Sequence, residues 1–320
     1  MTLVEDMSLD TIEVDSDFAS ALFDGLSAPA KSIPCRFLYD AAGSALFEKI
    51  TALPEYYPTR TETEILRDRA CEIARETPPG SVLIEFGSGS SLKTELLLAE
   101  MHDLYAYIPI DISDAALRGA QGRIEERFPD LRVLPLRGDF AQPIPMPPDV
   151  AGRPRLGFFP GSTIGNLENP TAIKLLANMA QMLGANGRLV IGADLKKDER
   201  RLVSAYDDAA GVTAAFNLNL LKRANRELGA DFDVGQFDHL AEYDSNRGRI
   251  EIFLVSQAEQ TVEVLGRRFR FAAGERVHTE HSHKYDIEGF HALAARAGWR
   301  PVHVWTDEDR LFSVHTLETV

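Results

Sequence analysis

Four short stretches carry the groups best suited to chemistry. Ile84-Glu85-Phe86 runs into Gly87-Ser88-Gly89-Ser90, a turn of small residues that lets backbone approach a ligand closely and opens a helix with free N–H groups. Asp111 stands 24 residues beyond Gly87, where an acidic group can accept hydrogen bonds from ribose hydroxyls. Asp139-Phe140 pairs a carboxylate suited to an adenine amino group with a ring that can cover the adenine face. The fourth stretch is Thr279-Glu280-His281-Ser282-His283-Lys284-Tyr285. If 278–284 is extended, alternation puts His278, Glu280, Ser282 and Lys284 on one face, with His281 and His283 on the other. Each stretch also has a plainer reading: a tight turn without ligand, two helix-capping aspartates and a solvated polar edge strand. His281 and His283 have no evident third ligand, so they read as surface histidines and no metal is expected.

These groups need strands and helices to position them. Ser81–Phe86, Tyr105–Asp111, Leu131–Arg137, Arg155–Phe159 and Gly187–Asp194 are short apolar runs that read as strands. Between them Lys93–Met101, Asp114–Phe128 and Pro170–Leu183 read as helices. Such alternation predicts a mostly parallel, doubly wound sheet, with the glycine turn, Asp111 and Asp139 all at carboxyl ends of strands. Ahead of the sheet, 1–30 suggests a helix with a loose start, Ser44–Ile50 a short helix, Glu55-Tyr56-Tyr57 an aromatic loop, and Thr61–Glu76 an amphipathic helix.

The alternation breaks at 197–286, which reads as a helix over Tyr206–Leu228 and two or three strands, among them Arg249–Ser256 and Val262–Phe271, with Gly266 marking a turn or bulge. It resumes with a helix over Asp286–Ala297 and strands over Pro301–Thr306 and Leu311–Leu317. The link Thr306-Asp307-Glu308-Asp309-Arg310 is too short for a helical crossover, so the last two strands should be antiparallel. We therefore expect an α/β core over 62–196 and 287–320, and a smaller α+β substrate-binding domain over 1–61 and 197–286. The third glycine of a G-x-G-x-x-G dinucleotide fingerprint is absent, since position 92 is Leu. That absence and the closing antiparallel strand point to S-adenosylmethionine rather than a nicotinamide, in a class I methyltransferase, Rossmann-like fold.

Three longer motifs carry a resemblance. Phe37-Leu38-Tyr39-Asp40-Ala41-Ala42-Gly43-Ser44, Pro54-Glu55-Tyr56-Tyr57-Pro58-Thr59-Arg60-Thr61-Glu62 and Phe158-Phe159-Pro160-Gly161-Ser162-Thr163-Ile164-Gly165-Asn166 resemble the histidine-specific Nα-methyltransferases of ergothioneine biosynthesis. The likeness runs from about Lys31 to Leu317. It implies a two-domain enzyme that trimethylates L-histidine to hercynine with S-adenosyl-L-methionine as methyl donor. On the matching positions it implies Tyr39 near the amine, Tyr56, Gly161 and Thr163 in the substrate pocket, and Asn166 and Tyr206 at the amino-carboxylate end. Tyr39 and Asn166 are thereby the candidate catalytic residues, orienting the amine; no residue reads as a dedicated strong base. It implies Glu280 and Ser282 on the imidazole, the hydroxyl serving one ring nitrogen as donor or as acceptor. It implies Gly87, Ser88, Gly89, Lys93, Asp111, Asp139 and Phe140 on the cofactor. The competing readings are a relative acting on another amino acid or amine, and an inactive cofactor-binding module.

Composition narrows the rest. A net charge of −15 opposes nucleic acid as partner. The longest apolar runs fall short of the ~20 residues a membrane span needs, and the acidic N-terminus lacks a signal-peptide pattern. Cys35 and Cys71 fit neither a metal spacing nor a disulfide framework. The expectation is a cytoplasmic monomer with a small-molecule substrate.

Overall fold

The computed structural model describes residues 16–89 and 92–320. The start of the expected N-terminal helix and Ser90-Ser91 of the glycine turn lie outside the described residues. In chain order the elements are α1 (Ser16–Ser27), α2 (Ala41–Thr51), α3 (Tyr57–Glu76), β1 (Val82–Phe86), α4 (Leu92–Leu98), β2 (Ala106–Asp111), α5 (Asp114–Arg127) and β3 (Leu136–Arg137). They continue with β4 (Arg155–Phe159), α6 (Asn169–Leu183), β5 (Arg188–Asp194), α7 (Glu199–Tyr206), α8 (Val212–Leu228), β6 (Phe237–Asp244), β7 (Arg249–Ser256) and β8 (Gln260–Val264). The last are β9 (Arg267–Phe271), β10 (Arg276–His283), α9 (Ile287–Ala295), β11 (Trp299–Thr306) and β12 (Phe312–Thr319).

The described residues divide into two compact units. One comprises Leu53–Ala205, Tyr243–Ile250 and His281–Val320. It is built on a seven-stranded sheet in the order β11-β12-β5-β4-β1-β2-β3. β1 to β5 pair parallel, whereas β12 runs antiparallel to both β5 and β11, as the short acidic turn requires. Alternate residues of β1 point to opposite faces: Val82, Ile84 and Phe86 pack with Leu175, Leu176 and Met179 of α6 and Phe290 of α9. Leu83 packs on the other side with Ile65, Leu66 and Ile73 of α3 and Leu97 of α4. The sheet is therefore covered on both faces, and its free carboxyl edge is where ligands bind in such folds.

The other unit comprises 16–52, Tyr206–Glu242 and Glu251–Glu280. It holds α1, α2 and α8, the β8–β9 hairpin and most of a three-stranded sheet ordered β10-β7-β6. The expected strand over Val262–Phe271 is this hairpin; Leu265 (φ 46°) and Gly266 (φ 79°) form its two-residue turn.

Four local expectations are corrected. The helix over Tyr206–Leu228 is broken: α8 starts at Val212, because Asp208 accepts from the backbone N–H of Val212 (2.9 Å) and Thr213 (2.7 Å) and Gly211 adopts φ 71°. The third strand shrinks from Leu131–Arg137 to Leu136–Arg137, an edge with only an isolated bridge at Val133. The aromatic loop ends at Tyr56, since Tyr57 begins α3 with Pro58 in its first turn. His283 is buried, not a surface histidine.

Candidate active site

At the carboxyl edge of the seven-stranded sheet, β1 ends in Gly87 with φ 82°, a conformation that excludes most side chains. A Cβ there would lie 3.6 Å from the Phe140 ring. The ring itself stands edge-on to Phe86 (6.2 Å) and Phe159 (5.7 Å). Asp111 is not the cap of α5. Its Oδ1 accepts from Ser113 N at 2.9 Å, and Ser113 caps the helix. Asp139 is used alike, Oδ1 accepting from Ala141 N at 2.8 Å. Each carboxylate so fixes the turn after its strand and has a second oxygen to offer a ligand. Bare backbone beside an aromatic ring, with two carboxylates at neighbouring strand ends, fits the donor set of an adenosyl group.

Lys93 is held by Glu62, a residue that sequence reasoning did not single out. Glu62 is buried on α3, and its carboxylate also accepts from Gly161 N at 2.8 and 3.0 Å. The turn after β4 is thus tethered to α3. In that turn Gly161 (φ 85°) and Ser162 (φ 56°) are both left-handed. Ser162 tolerates this because its Oγ accepts from Asp194 N at 2.9 Å. Thr163 and Gly161 are exposed, Asn166 half-buried at the end of the turn. A Cβ at Gly165 would stand 2.8 Å from the His283 carbonyl, so only glycine fits there.

A second charged cluster closes β5. Asp194 accepts from Tyr57 Oη (2.8 and 2.9 Å), Lys197 Nζ (2.6 Å) and Lys284 Nζ (2.8 Å). Burial alone would push the Asp194 carboxyl up; Lys284 and Lys197 outweigh it and hold the group below the usual carboxylate range. Burial also pulls Lys197 down to about 8, opposed by Asp194. Lys284 Nζ donates in addition to Ser282 Oγ at 2.8 Å. Sequence reasoning missed Tyr57, Asp194 and Lys197, although Asp194, like Asp111, sits at a strand's carboxyl end. On the other side of β10, Arg249 bonds Glu168 at 2.6 Å and lies 3.4 Å from His283 Nε2. The His281 and His283 rings are 5.3 Å apart, as alternation predicted.

Of the substrate-side candidates, Tyr56, Gly161, Thr163, Asn166 and Ser282 belong to this unit. Tyr39, Tyr206 and Glu280 belong to the other. There the Tyr39 ring is wedged edge-on against Phe47 (5.5 Å) and Phe216 (5.4 Å), yet Tyr39 is 41 % exposed. The neighbouring Asp40 caps α2 and binds Asn219 (2.7 Å) and Arg226 (2.5 Å) of α8. The Tyr206 carbonyl accepts from His239 Nε2 at 2.8 Å, while His239 Nδ1 accepts from Asn217 at 3.0 Å, which fixes the tautomer. Glu280 is buried, and with burial it pushes the nearby Cys35 thiol up to about 12.

Comparison with known proteins adds an independent line. A family model described as histidine-specific methyltransferase, SAM-dependent, matches residues 18–319. The histidine N-alpha-methyltransferase of Mycolicibacterium smegmatis is 47 % identical over 288 residues, covering 88 % of this chain and 89 % of that protein. The histidine N-alpha-methyltransferase of Mycobacterium tuberculosis is 41 % identical over 292 residues, 90 % of each chain. Ergothioneine biosynthesis protein 1 of Neurospora crassa is 31 % identical over 284 residues, 86 % of this chain but 32 % of that longer one. Among the described residues, no helix is long and apolar enough to cross a membrane.

Proposed function

Because the chain belongs to the family of histidine-specific, S-adenosylmethionine-dependent methyltransferases, we propose that it methylates the α-amino group of L-histidine three times, to hercynine, as a step of ergothioneine biosynthesis. The observation that carries this reading is the 47 % identity to a histidine N-alpha-methyltransferase over 88 % of the chain.

When bound, S-adenosylmethionine supplies a methyl group already activated on a sulfonium. The protein's task is then to align and desolvate the amine rather than to generate a strong nucleophile. Gly87, Ser88 and Gly89 offer backbone at the end of β1. Asp111 accepts from the ribose hydroxyls, and Asp139 with Phe140 takes the adenine. Lys93, neutralised by Glu62, stiffens the same edge and adds no net charge to it. On the acceptor side Asn166 and Tyr206 hold the amino-carboxylate end, and Gly161, Thr163 and Tyr56 shape the wall. Tyr39, its ring braced by Phe47 and Phe216, presents a hydroxyl to the amine. A proton released from the amine leaves to water through that hydroxyl. Glu280 accepts an imidazole N–H, and Ser282 bonds the other ring nitrogen.

Incubation with S-adenosylmethionine and each of the twenty amino acids, read by mass spectrometry, tests the reading. A gain of three methyls on histidine alone is expected; no gain on histidine overturns it. Replacing Tyr39 with Phe should slow the methylations, and unchanged rates at all three would remove Tyr39 from the mechanism.

A further inference from the structure

Tyr39 stands between two rings that come from two different helices. It follows a single 3-10 turn, Cys35–Leu38, with φ −98° and ψ 45°, outside both helix and strand. A half-open ring at such a place has several staggered positions to choose from. A slot narrows the choice: Phe47 of α2 lies edge-on at 5.5 Å and Phe216 of α8 edge-on at 5.4 Å, with the two walls 6.0 Å from each other. Edge-to-face contacts are directional but individually weak, so the slot is only as well defined as the spacing of the helices that supply its walls.

One carboxylate ties those helices together. Asp40, the next residue, caps α2 with Oδ1, which accepts from Gly43 N at 2.7 Å. A cap needs nothing from α8. Yet the same Oδ1 accepts from Asn219 Nδ2 at 2.7 Å, and Oδ2 accepts from Arg226 Nη2 at 2.5 Å. The Asp40 side chain is 10 % exposed and Asn219 4 %, so water competes little for the Asn219 bond. Arg223 adds a bond to the Phe37 carbonyl at 3.0 Å. Phe216, Asn219, Arg223 and Arg226 follow one another at steps of three, four and three residues, so they share one face of α8. Each of the four meets the 37–40 segment.

From this we propose that Asp40 is a positioning residue, which by tying the start of α2 to that face of α8 sets the gap between Phe47 and Phe216 and so the direction of the Tyr39 hydroxyl. The inference rests on the reading that this hydroxyl meets the amine. Asp40 does not touch the acceptor in this account; it acts through the ring beside it. Methyl transfer demands that nitrogen, methyl carbon and sulfur stand in line, and a small misplacement of an orienting group is costly in rate. The requirement recurs at each of three transfers, while the amine grows by a methyl group each time. A tyrosine aimed by a fixed slot serves all three.

The test is a double-mutant cycle on single-turnover methylation of L-histidine and of its mono- and dimethyl forms, with the unmodified protein, D40S, Y39F and D40S/Y39F. Serine at 40 still caps α2 through its hydroxyl, but with one oxygen and a shorter reach it gives up the ties to α8. D40S should slow each transfer about tenfold, while affinity for S-adenosylmethionine stays within about twofold. In the Y39F background no hydroxyl is left to aim, and the same change should slow the reaction by about twofold or less. An equal factor in both backgrounds would make Asp40 a cap and nothing more, and overturns the proposal; so does an unchanged rate in D40S. If Y39F itself alters no rate, the reading of Tyr39 fails and takes the inference with it. A slow Y39F beside a silent or additive D40S sinks the inference alone. Should D40S misfold, seen as lost binding of S-adenosylmethionine, N219A leaves Asp40 and its cap in place. It should slow the unmodified background about threefold and Y39F hardly at all, and equal factors again overturn the proposal.

Discussion

The carboxylate of Glu62 occupies the space that a side chain at Gly192 would need. A Cβ on Gly192 would stand 2.0 Å from Glu62 Oε1, with Phe312 closing the other side at 2.9 Å. An acid on α3 and a glycine in the middle of β5 are thus a matched pair, and through Glu62 the pair sets Lys93 and the Gly161 turn. G192A should displace the carboxylate and leave those two donors short of an acceptor. A loss of about 2–3 kcal/mol in stability is expected, with weaker cofactor binding. Chemical denaturation checks it. In an E62A background the same glycine change should cost far less, because the clash is gone, and additivity of the two substitutions would refute the pairing.

D111N isolates charge from turn geometry. The amide oxygen of Asn can still accept from Ser113 N, so the turn into α5 and the stability should hold. What disappears is a charged acceptor, and hydrogen bonds to charged groups contribute about 1.5–3 kcal/mol. Affinity for S-adenosylmethionine should fall by tenfold or more in a calorimetric titration while the melting temperature stays put. A variant that binds as before would take Asp111 out of the cofactor site.

Glu85, one residue before the end of β1, gives a pH signature. Burial pushes its carboxyl up to about 7, against the hydrogen bonds it accepts from Thr94 and Tyr107. A folded-state value above the unfolded one means that the native protein holds the proton more tightly. The contribution is whole below pH ~4.5 and is lost as pH rises toward 7 and beyond, a change of about 3 kcal/mol. E85Q should therefore gain on the unmodified protein between pH 5 and 8, measured as the difference in unfolding free energy. A constant difference across that range would contradict a raised Glu85.

The two thiols should react unequally. Burial and the Glu280 carboxylate hold Cys35 almost wholly as the thiol at pH 8, whereas Cys71 is exposed on α3. Iodoacetamide should label one cysteine quickly, identified as Cys71 by peptide mapping, and the second only after denaturation. Rapid labelling of both would mean that Cys35 is open to solvent.

Much of the sheet was legible because apolar runs announce it: Arg155–Phe159 and Arg249–Ser256 were read to the residue, and the antiparallel closing strand followed from a five-residue link. The break at Asp208–Gly211 was not, since the apolar spacing of α8 continues smoothly back to Tyr206 and the Asp208 side chain, with Gly211 at φ 71°, ends it. At the carboxyl edge of the sheet, Asp111, Asp139 and the glycine turn were visible as strand-end groups from position alone. Glu62, Asp194 and Lys284 were not, for a physical reason. Their meaning lies in partners far away along the chain, Gly161 for Glu62 and Asp194 for Lys284, and isolated charges in polar stretches look like solvated ones until packing buries them. The polar stretch 278–284 misled in the same way over His283, which is buried beside Arg249.

The chain leaves β5 at Leu195 and comes back at Tyr285, and the two meet in a parallel bridge, with Lys196 N donating to the Tyr285 carbonyl at 2.8 Å. Exit and return are side by side, so the ends of what is spelled out between them are already closed, and each doubling of a flexible loop adds only ~0.6 kcal/mol to such closure. That junction is a natural graft point. A segment from a relative could be spliced in there, provided that it keeps lysines at 197 and 284 for the buried Asp194 carboxylate.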